Sequence, residues 1–150
     1  MNRLCVLCLS VVLFVPFSSA FAKEFPAAPA NMKEAEALGL QRLSTEELKA
    51  FFPGVVKSKG TKGKHVLTYK PDGSVDRRGF HDTTGKWRID EKNNAYCLAF
   101  TESPHKLGKT HASKENCFAV FRASDGTHFF DYDIENGSYS HVWRRASGNE

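Results

Sequence analysis

The sequence predicts a mainly β protein: an antiparallel meander of about seven strands forming a small barrel or sandwich, with a short N-terminal helix. Two observations predict the strands. From His65 onward, apolar and polar residues alternate with a period of two, and turn-forming residues interrupt the alternation about every ten residues. A third observation, a capping pattern that begins at Ser44, predicts the helix.

Residues 1–22 have the three parts of an export signal. Arg3 supplies the positive start, Leu4–Phe17 is apolar, and residues 20–22 read A-x-A, the pattern of a cleavage site. The apolar run of about 14 residues is shorter than the roughly 20 that cross a bilayer. We therefore expect a signal peptide and a periplasmic or secreted protein, with no transmembrane segment after its removal.

The remaining residues, 23–150, have the size and composition of one folded domain. About 128 residues bury one core but not two. Charged residues make up 25% of the chain, which argues against intrinsic disorder. The chain has 21 Lys and Arg against 17 Asp and Glu, and this mild excess does not indicate a nucleic-acid partner.

The N-terminal part of this domain predicts an extended lead-in and two short helices. Lys23–Ala30 is rich in Pro and Ala, and Asn31–Leu40 has a helical composition. Ser44 and Glu47 form a capping box that starts a helix through about Phe52, before Pro53 and Gly54 end it. Its apolar side must dock, so we expect the helix to cover an open end or a face of the sheet.

Seven segments have the strand pattern: His65–Lys70, Val75–Gly79, Lys86–Asp90, Ala95–Phe100, Cys117–Arg122, Thr127–Ile134 and Ser138–Arg145. Thr101–Asn116 is the one long connection between them, and loops of about 16 residues are often functional. In the first hairpin, a type I turn with Gly73 as the bulge residue sets Tyr69 opposite Val75.

The last hairpin contains Asn136-Gly137, the strongest short hairpin signal in the chain. A two-residue loop there sets Tyr132 opposite His141 and Phe130 opposite Trp143. One face is then mostly aromatic, and the other is mostly polar. The polar face carries three acidic residues, Asp131, Asp133 and Glu135. They lack the Gly and Glu that a calcium loop needs, so we interpret them as a solvent-exposed face.

Two of the four cysteines, Cys5 and Cys8, lie in the signal segment, which leaves Cys97 and Cys117. An exported chain with two cysteines most often pairs them. A redox or metal-binding pair is the rival interpretation, but the spacing forms no C-x-x-C motif. A disulfide closing a loop of about 20 residues contributes roughly 3 kcal/mol in the chain-entropy model.

The order of several features is itself distinctive. An L-S-x-x-E-L helix (Leu43–Leu48) precedes a strand ending in P-D-G (Pro71–Gly73) and a G-x-W strand (Gly85–Trp87). A strand with Cys97, a second cysteine strand ending in a charged-Gly turn (Cys117–Gly126) and an aromatic last hairpin follow. This order, over about residues 40–145, resembles the small exported bacterial proteins of domain-of-unknown-function family 995. The resemblance implies the compartment, a single domain and the cysteine pair, but no activity.

The aromatic residues suggest the first candidate site. Their large number for a small sheet indicates either a plain core or, in a lipocalin-like barrel, a pocket for a small, partly apolar ligand. For the pocket, the predicted ligand-binding residues are Trp87, Tyr132, His141 and Trp143.

Histidines suggest a second candidate site. His65, His128 and His141 would meet inside a closed barrel and could ligate a metal or haem iron. The alternative is three unrelated histidines at strand ends. His105 and His111 form a weaker pair in the long connection, which we interpret as a basic loop. The sequence indicates no particular cofactor.

The lysines of the stretch KSKGTKGK (Lys57, Lys59, Lys62 and Lys64) suggest contact with anionic lipid or acidic polysaccharide, but a solvated linker between helix and sheet is the simpler interpretation. No G-x-S-x-G, H-E-x-x-H or phosphate-loop motif is present. An enzyme is therefore uncertain and less expected.

The sequence thus favours an exported, non-enzymatic binding protein for a small ligand. An inhibitor or interaction module that docks on another exported protein is the alternative, and metal or haem binding is the third. An enclosed cavity would favour the first, and a solid core with an exposed apolar patch would favour the second. Titratable groups that converge in a cleft with shifted pKa values would favour an enzyme.

Overall fold

The computed structural model describes residues 25–60, 63–79, 82–101 and 114–146. The predicted signal peptide, Lys62, His105 and His111 lie outside these residues. The described elements are α1 (Met32–Ala37), β1 (Gln41–Arg42), α2 (Thr45–Phe51), β2 (Gly54–Gly60), β3 (Gly63–Tyr69), β4 (Ser74–Arg78), β5 (Thr83–Asp90), a 3-10 helix (Glu91–Asn93), β6 (Ala95–Phe100), β7 (Asn116–Arg122), β8 (His128–Asp133) and β9 (Tyr139–Arg145).

Strands β2 to β9 form a closed antiparallel barrel. Each strand from β2 to β8 pairs with the next along the chain, and β2 also pairs with β9, which closes the sheet. The two residues of β1 pair with the end of β7 as an extra strand. The predicted fold class, a mainly β meander forming a small barrel with a short helix near the N-terminus, is confirmed.

The seven predicted strands are found as β3 to β9, but β2 contradicts the sequence interpretation. Lys57 and Lys59, interpreted as part of a linker, lie in this strand. Val56 and Ser58 alternate with them and are buried in the barrel, with 2% and 3% of their surface exposed. The strand pattern in the sequence is weak here, because the segment has only two inward side chains and is otherwise rich in lysine. The strand forms because β2 pairs with both β3 and β9.

Helix α2 closes one end of the barrel. Its capping box is present as predicted: the Ser44 Oγ accepts from the Glu47 N–H (3.2 Å), and the Glu47 Oε2 accepts from the Ser44 N–H (2.9 Å). After the helix, the Phe52 ring lies 4.5–6.0 Å, centroid to centroid, from four rings of β3, β5, β6 and β9. A ring that contacts rings on four strands around the barrel must lie near its axis, so Phe52, directly after the helix, fills this end.

The chain before α2 packs on the outside of the barrel. Phe25, Ala35 and neighbouring residues form a second apolar cluster with the outward-facing side chains of β7, β8 and β9. The Tyr132 hydroxyl donates to the Pro29 carbonyl (3.2 Å) in this cluster. The outer face of these three strands is therefore also a packed core.

The first hairpin has the predicted register, but the last does not. Tyr69 lies opposite Val75, and Gly73 has the positive φ (+77°) of the bulge position. In the last hairpin, Phe129 lies opposite Trp143 and Asp131 opposite His141, a shift of one residue from the prediction.

The shift arises from the loop. The Gly137 N–H donates to the Asp133 carbonyl (2.7 Å), so residues 134–137 form a four-residue turn, and a β-bulge follows at Asp131 and Tyr132. Because side chains alternate with a period of two, a one-residue shift exchanges the two faces. Asp131, predicted on a solvent-exposed acidic face, is therefore inside the barrel with 1% of its surface exposed.

The predicted disulfide between Cys97 and Cys117 is present. The two cysteines lie directly opposite each other on β6 and β7, with Cα atoms 4.0 Å apart. The bond joins two neighbouring strands of the barrel wall.

Candidate functional site

The barrel interior contains a partly open cavity of about 40 Å³ between the rings above α2 and the opposite end, where β2 leads to β3 and β6 to β7. Apolar walls and polar groups share its lining, which consists of Val56, Ser58, His65, Leu67, Tyr69, Arg77, Tyr96, Leu98, Phe100, Asp131, His141 and Trp143. Polar groups this deep in a small barrel are costly to bury unless they are partnered or used.

The polar groups face inward because of strand alternation. In β3, the buried residues His65, Leu67 and Tyr69 recur at every second position. In β4, Arg77 follows the fully buried Val75 by two residues and so lies on the same inner face. His65 and Arg77 stand at the same end of their strands, so this end of the barrel interior carries basic side chains.

Arg77, His65 and His141 form a basic cluster. Burial lowers the pKa of Arg77, and its guanidinium lies 4.4 Å from the centroid of the Phe100 ring. Burial, and then the charge of Arg77, lowers the pKa of His65. Burial, followed by the charges of His65 and Arg77, lowers the pKa of His141 to about 4. His141 is therefore neutral at pH 7.

Two glycines leave room for the imidazoles. A Cβ atom on Gly60 would lie 2.7 Å from the His141 Nε2, and one on Gly79 would lie 2.6 Å from the His65 Nδ1. Both rings therefore pack directly on bare backbone. The Nδ1 of His141 is also held by the Ser140 Oγ (2.6 Å), which fixes the orientation of the ring.

Asp131 forms a separate acidic group in the cavity. One of its carboxylate oxygens accepts from the Tyr96 hydroxyl, and the other accepts from the Trp143 indole N–H. Burial raises the pKa of this carboxyl to about 7, although both hydrogen bonds act to lower it. Asp131 therefore gains or loses a proton near pH 7. Its two hydrogen-bond donors, Tyr96 and Trp143, are uncharged.

The structure brings only two of the four predicted ligand-binding residues to the cavity, His141 and Trp143. Trp87 lies at the α2 end, where its ring packs on Phe52 and its Nε1–H donates to the Lys70 carbonyl (2.9 Å). Tyr132 is buried in the outer cluster, on the other side of the barrel wall. The shifted register of the last hairpin explains the placement of Tyr132.

Two of the three predicted metal-binding histidines, His65 and His141, line the cavity. His128 does not, because the same register shift turns it outward, where its Nδ1 lies 2.6 Å from the Asp125 carboxylate. Among the described residues, these histidines and Asp131 do not form a group of three potential ligand atoms within 4.8 Å of one another.

One such group does occur elsewhere in the described part of the chain, formed by Asp90, Cys97 and Cys117. Its two sulfur atoms are joined in the disulfide, so they are not available as thiolate ligands. The group is therefore part of the disulfide environment.

Among the polar residues of the lining, sequence reasoning missed Ser58, Arg77 and Asp131. A signal existed for Arg77, since it continues the inward parity of Val75 in a predicted strand. For Asp131 the parity could be assigned only with the correct loop length. Ser58 belongs to the strand that was interpreted as a linker.

Comparisons of this chain with protein-family models, with curated proteins and with solved structures found no match. The resemblance to domain-of-unknown-function family 995 therefore stays a prediction. In the described residues, no helix is long and apolar enough to cross a membrane.

Proposed function

We propose that the chain is an exported binding protein that takes a small, partly apolar ligand into the barrel at the end opposite α2. The observation that carries this proposal is the cavity itself, in which apolar walls from Val56, Leu67 and Leu98 meet polar groups. A binding site typically combines such walls with a few polar groups that orient the ligand. The Cys97–Cys117 disulfide supports the exported compartment, because such bonds persist under oxidising conditions.

The size of the cavity limits what it can enclose. A volume of about 40 Å³ is enough for about three water molecules, at 10–15 Å³ for each. It therefore suits the end group of a ligand, with the rest of the molecule lying toward the end of the barrel. A complete haem is far too large for this space.

The other functions have less support. The described residues include three exposed large apolar side chains, Leu38, Val55 and Val66, which are fewer than the extended patch of an interaction module would need. The convergent titratable groups fit one criterion for an enzyme. However, no hydrogen bond joins the Ser58 hydroxyl to either cavity imidazole in the described residues, so no activated nucleophile is formed there.

Native mass spectrometry of the mature protein, purified from its own periplasm or medium without chelator, tests the proposal. We expect added mass beyond that of the disulfide-bonded chain, and its loss in Ser58→Val, which narrows the cavity. Thr68→Val, on the outward parity of β3, is the matched control and should keep the added mass. A bare mass, together with no small molecule that stabilises the wild-type protein against unfolding, would contradict a binding function.

A further inference from the structure

The cavity lining contains one guanidinium, that of Arg77, which has no carboxylate partner among the described residues. The Arg77 guanidinium is partly buried, and its Nε atom is buried without a hydrogen-bond partner. Among the described residues, no carboxylate lies within ion-pair distance of it. A charge removed from water without a partner is unfavourable, and an anion that enters the cavity would relieve this.

The carboxylate in the same cavity does not serve this role. Both oxygens of Asp131 accept hydrogen bonds from neutral groups, those of Tyr96 and Trp143. Arg77 is not among the groups that shift its pKa. The basic cluster and the acidic group are therefore two separate parts of the lining.

His65 adds a second unsatisfied group. It is buried, with 9% of its surface exposed, and its Nδ1 has no hydrogen-bond partner. With His141 it lies in the positive field of Arg77, which acts on both rings. Neutral imidazoles and a guanidinium together supply several N–H donors, and the Ser58 hydroxyl can supply another.

We propose that the group bound in this cavity is the carboxylate of a small ligand, held by Arg77 together with His65 and His141. This inference rests on the proposed function, because it names the chemistry of the ligand for the same site. A guanidinium presents two parallel N–H groups that match a carboxylate. The cavity provides one permanent positive charge, which suits a singly charged group, and Leu67 and Leu98 accept a short hydrocarbon beside it.

Binding of a carboxylate has a consequence at the histidines. Burial, His65 and Arg77 lower the pKa of His141, and burial and Arg77 lower the pKa of His65. No anion is among the groups that act on either pKa. A bound anion opposes the effect of Arg77, so the pKa values of both rings must rise. Asp131 lines the same cavity and loses its negative charge as the pH falls through about 7, which also favours an entering anion. The ligand therefore binds more tightly as the pH falls from 8 toward 6, where its own carboxylate is still ionised.

The experiment uses acetate as the probe and acetamide, its uncharged isostere, as the control. The mature, disulfide-bonded protein is titrated at constant ionic strength while the imidazole resonances are followed by NMR. We expect saturable shifts of His65 and His141 with acetate and none with acetamide. His128, which is held by Asp125 on the outside of the barrel, should not respond.

Variants of two adjacent arginines provide the matched pair. Arg77→Gln should weaken acetate binding at least tenfold, whereas Arg78→Gln, at an exposed position on the outward parity of β4, should leave it unchanged. Arg77→Gln should also raise the pKa of both cavity histidines in the absence of acetate. Arg77→Lys keeps the positive charge but lacks the two parallel N–H groups of the guanidinium, so it should bind acetate with intermediate affinity. It replaces Arg77→Gln in the test if that variant does not fold.

Two results would overturn the inference. One is equal shifts with acetate and acetamide, and the other is no shift of His65 and His141 at 100-fold higher acetate than protein. If a neutral ligand is also found by native mass spectrometry, the binding function stands and only the carboxylate assignment fails. If no ligand of any kind is found, the proposed function fails as well.

Discussion

Replacement of Asp131 by Asn tests whether a carboxyl group is buried in the barrel interior. The substitution keeps the shape of the side chain but removes its titration. In the folded protein the Asp131 pKa is about 7, compared with the ordinary 3.8 that it regains on unfolding. Between these values the folded state holds a proton on Asp131 that the unfolded state has released, so the contribution of Asp131 to the free energy of unfolding falls as the pH rises.

The size of the effect follows from linkage. A rise from 3.8 to about 7 corresponds to about 4 kcal/mol lost between pH 4 and pH 8, at roughly 1.4 kcal/mol for each unit. At pH 4, the introduced amide would accept only one of the two hydrogen bonds, which lowers the stability of the variant by about 1 kcal/mol. At pH 8 we expect the variant to be more stable than wild type by about 3 kcal/mol, so the two curves cross.

Titration of His141 changes the free energy of unfolding in the opposite direction to Asp131, over nearly the same pH range. Its pKa falls from 6.5 to about 4 on folding, so the unfolded state holds the extra proton and stability rises with pH, by about 3 kcal/mol. In wild type the two contributions largely offset each other between pH 4 and pH 6.5. Asp131→Asn should therefore reveal a stability that rises with pH, and His141→Gln should reveal one that falls.

The assay is urea unfolding of the disulfide-bonded protein at 25 °C, from pH 4 to pH 8, for wild type and both variants. The difference between variant and wild type isolates the substituted group, because all other titrations cancel. A constant difference between Asp131→Asn and wild type across this range would refute the reasoning. It would mean that the carboxyl titrates in the folded protein as it does in the unfolded chain.

Three further predictions concern the elements that build the site. Gly60→Ala should lower the free energy of unfolding by about 1–3 kcal/mol and shift the His141 imidazole resonance, because the added Cβ would meet that ring. Gly54→Ala is the control: the contacts of its added Cβ begin at 3.4 Å, so the His141 resonance should not shift. Replacing both cysteines of the Cys97–Cys117 disulfide by Ser should cost about 3 kcal/mol in urea unfolding, as for any loop of this length. Ser44→Ala should cost about 1 kcal/mol in the same assay, because the helix loses its cap.

Each of these has a clear contrary outcome. An unchanged imidazole resonance in the first variant would mean that the ring does not lie on the bare backbone. Equal stability with and without the disulfide would mean that the bond does not restrict the unfolded chain. Equal stability of the uncapped variant would mean that packing alone fixes α2.

Local patterns were sufficient for most of the elements. The turn residues between the segments delimited β3 to β9, and Gly73 fixed the first hairpin because only a residue that tolerates positive φ suits its turn. The predicted register of the last hairpin was wrong, because Asn136-Gly137 fits a two-residue loop as well as it fits the four-residue turn with a bulge that the chain forms. Nothing local distinguishes the two turns.

The candidate site was only partly predictable for the same reason. His141 and Trp143 were recognised as site residues and do line the cavity. Tyr132 and His128 were assigned to the wrong side of the wall by the one-residue shift. Arg77 is not among the predicted site residues, because a charged residue in a strand is ordinarily expected to face solvent.

By itself, the sequence determined the antiparallel meander, the capped helix and the partnership of Cys97 with Cys117, all of which depend on residues close in the chain or on a simple count. Only the tertiary structure decided that β2 is a strand, that it joins β9 to close the barrel, and that Asp131 and Arg77 face inward. The physical reason is the period of two: a strand pattern defines two faces, but pairing with distant strands decides which face is enclosed.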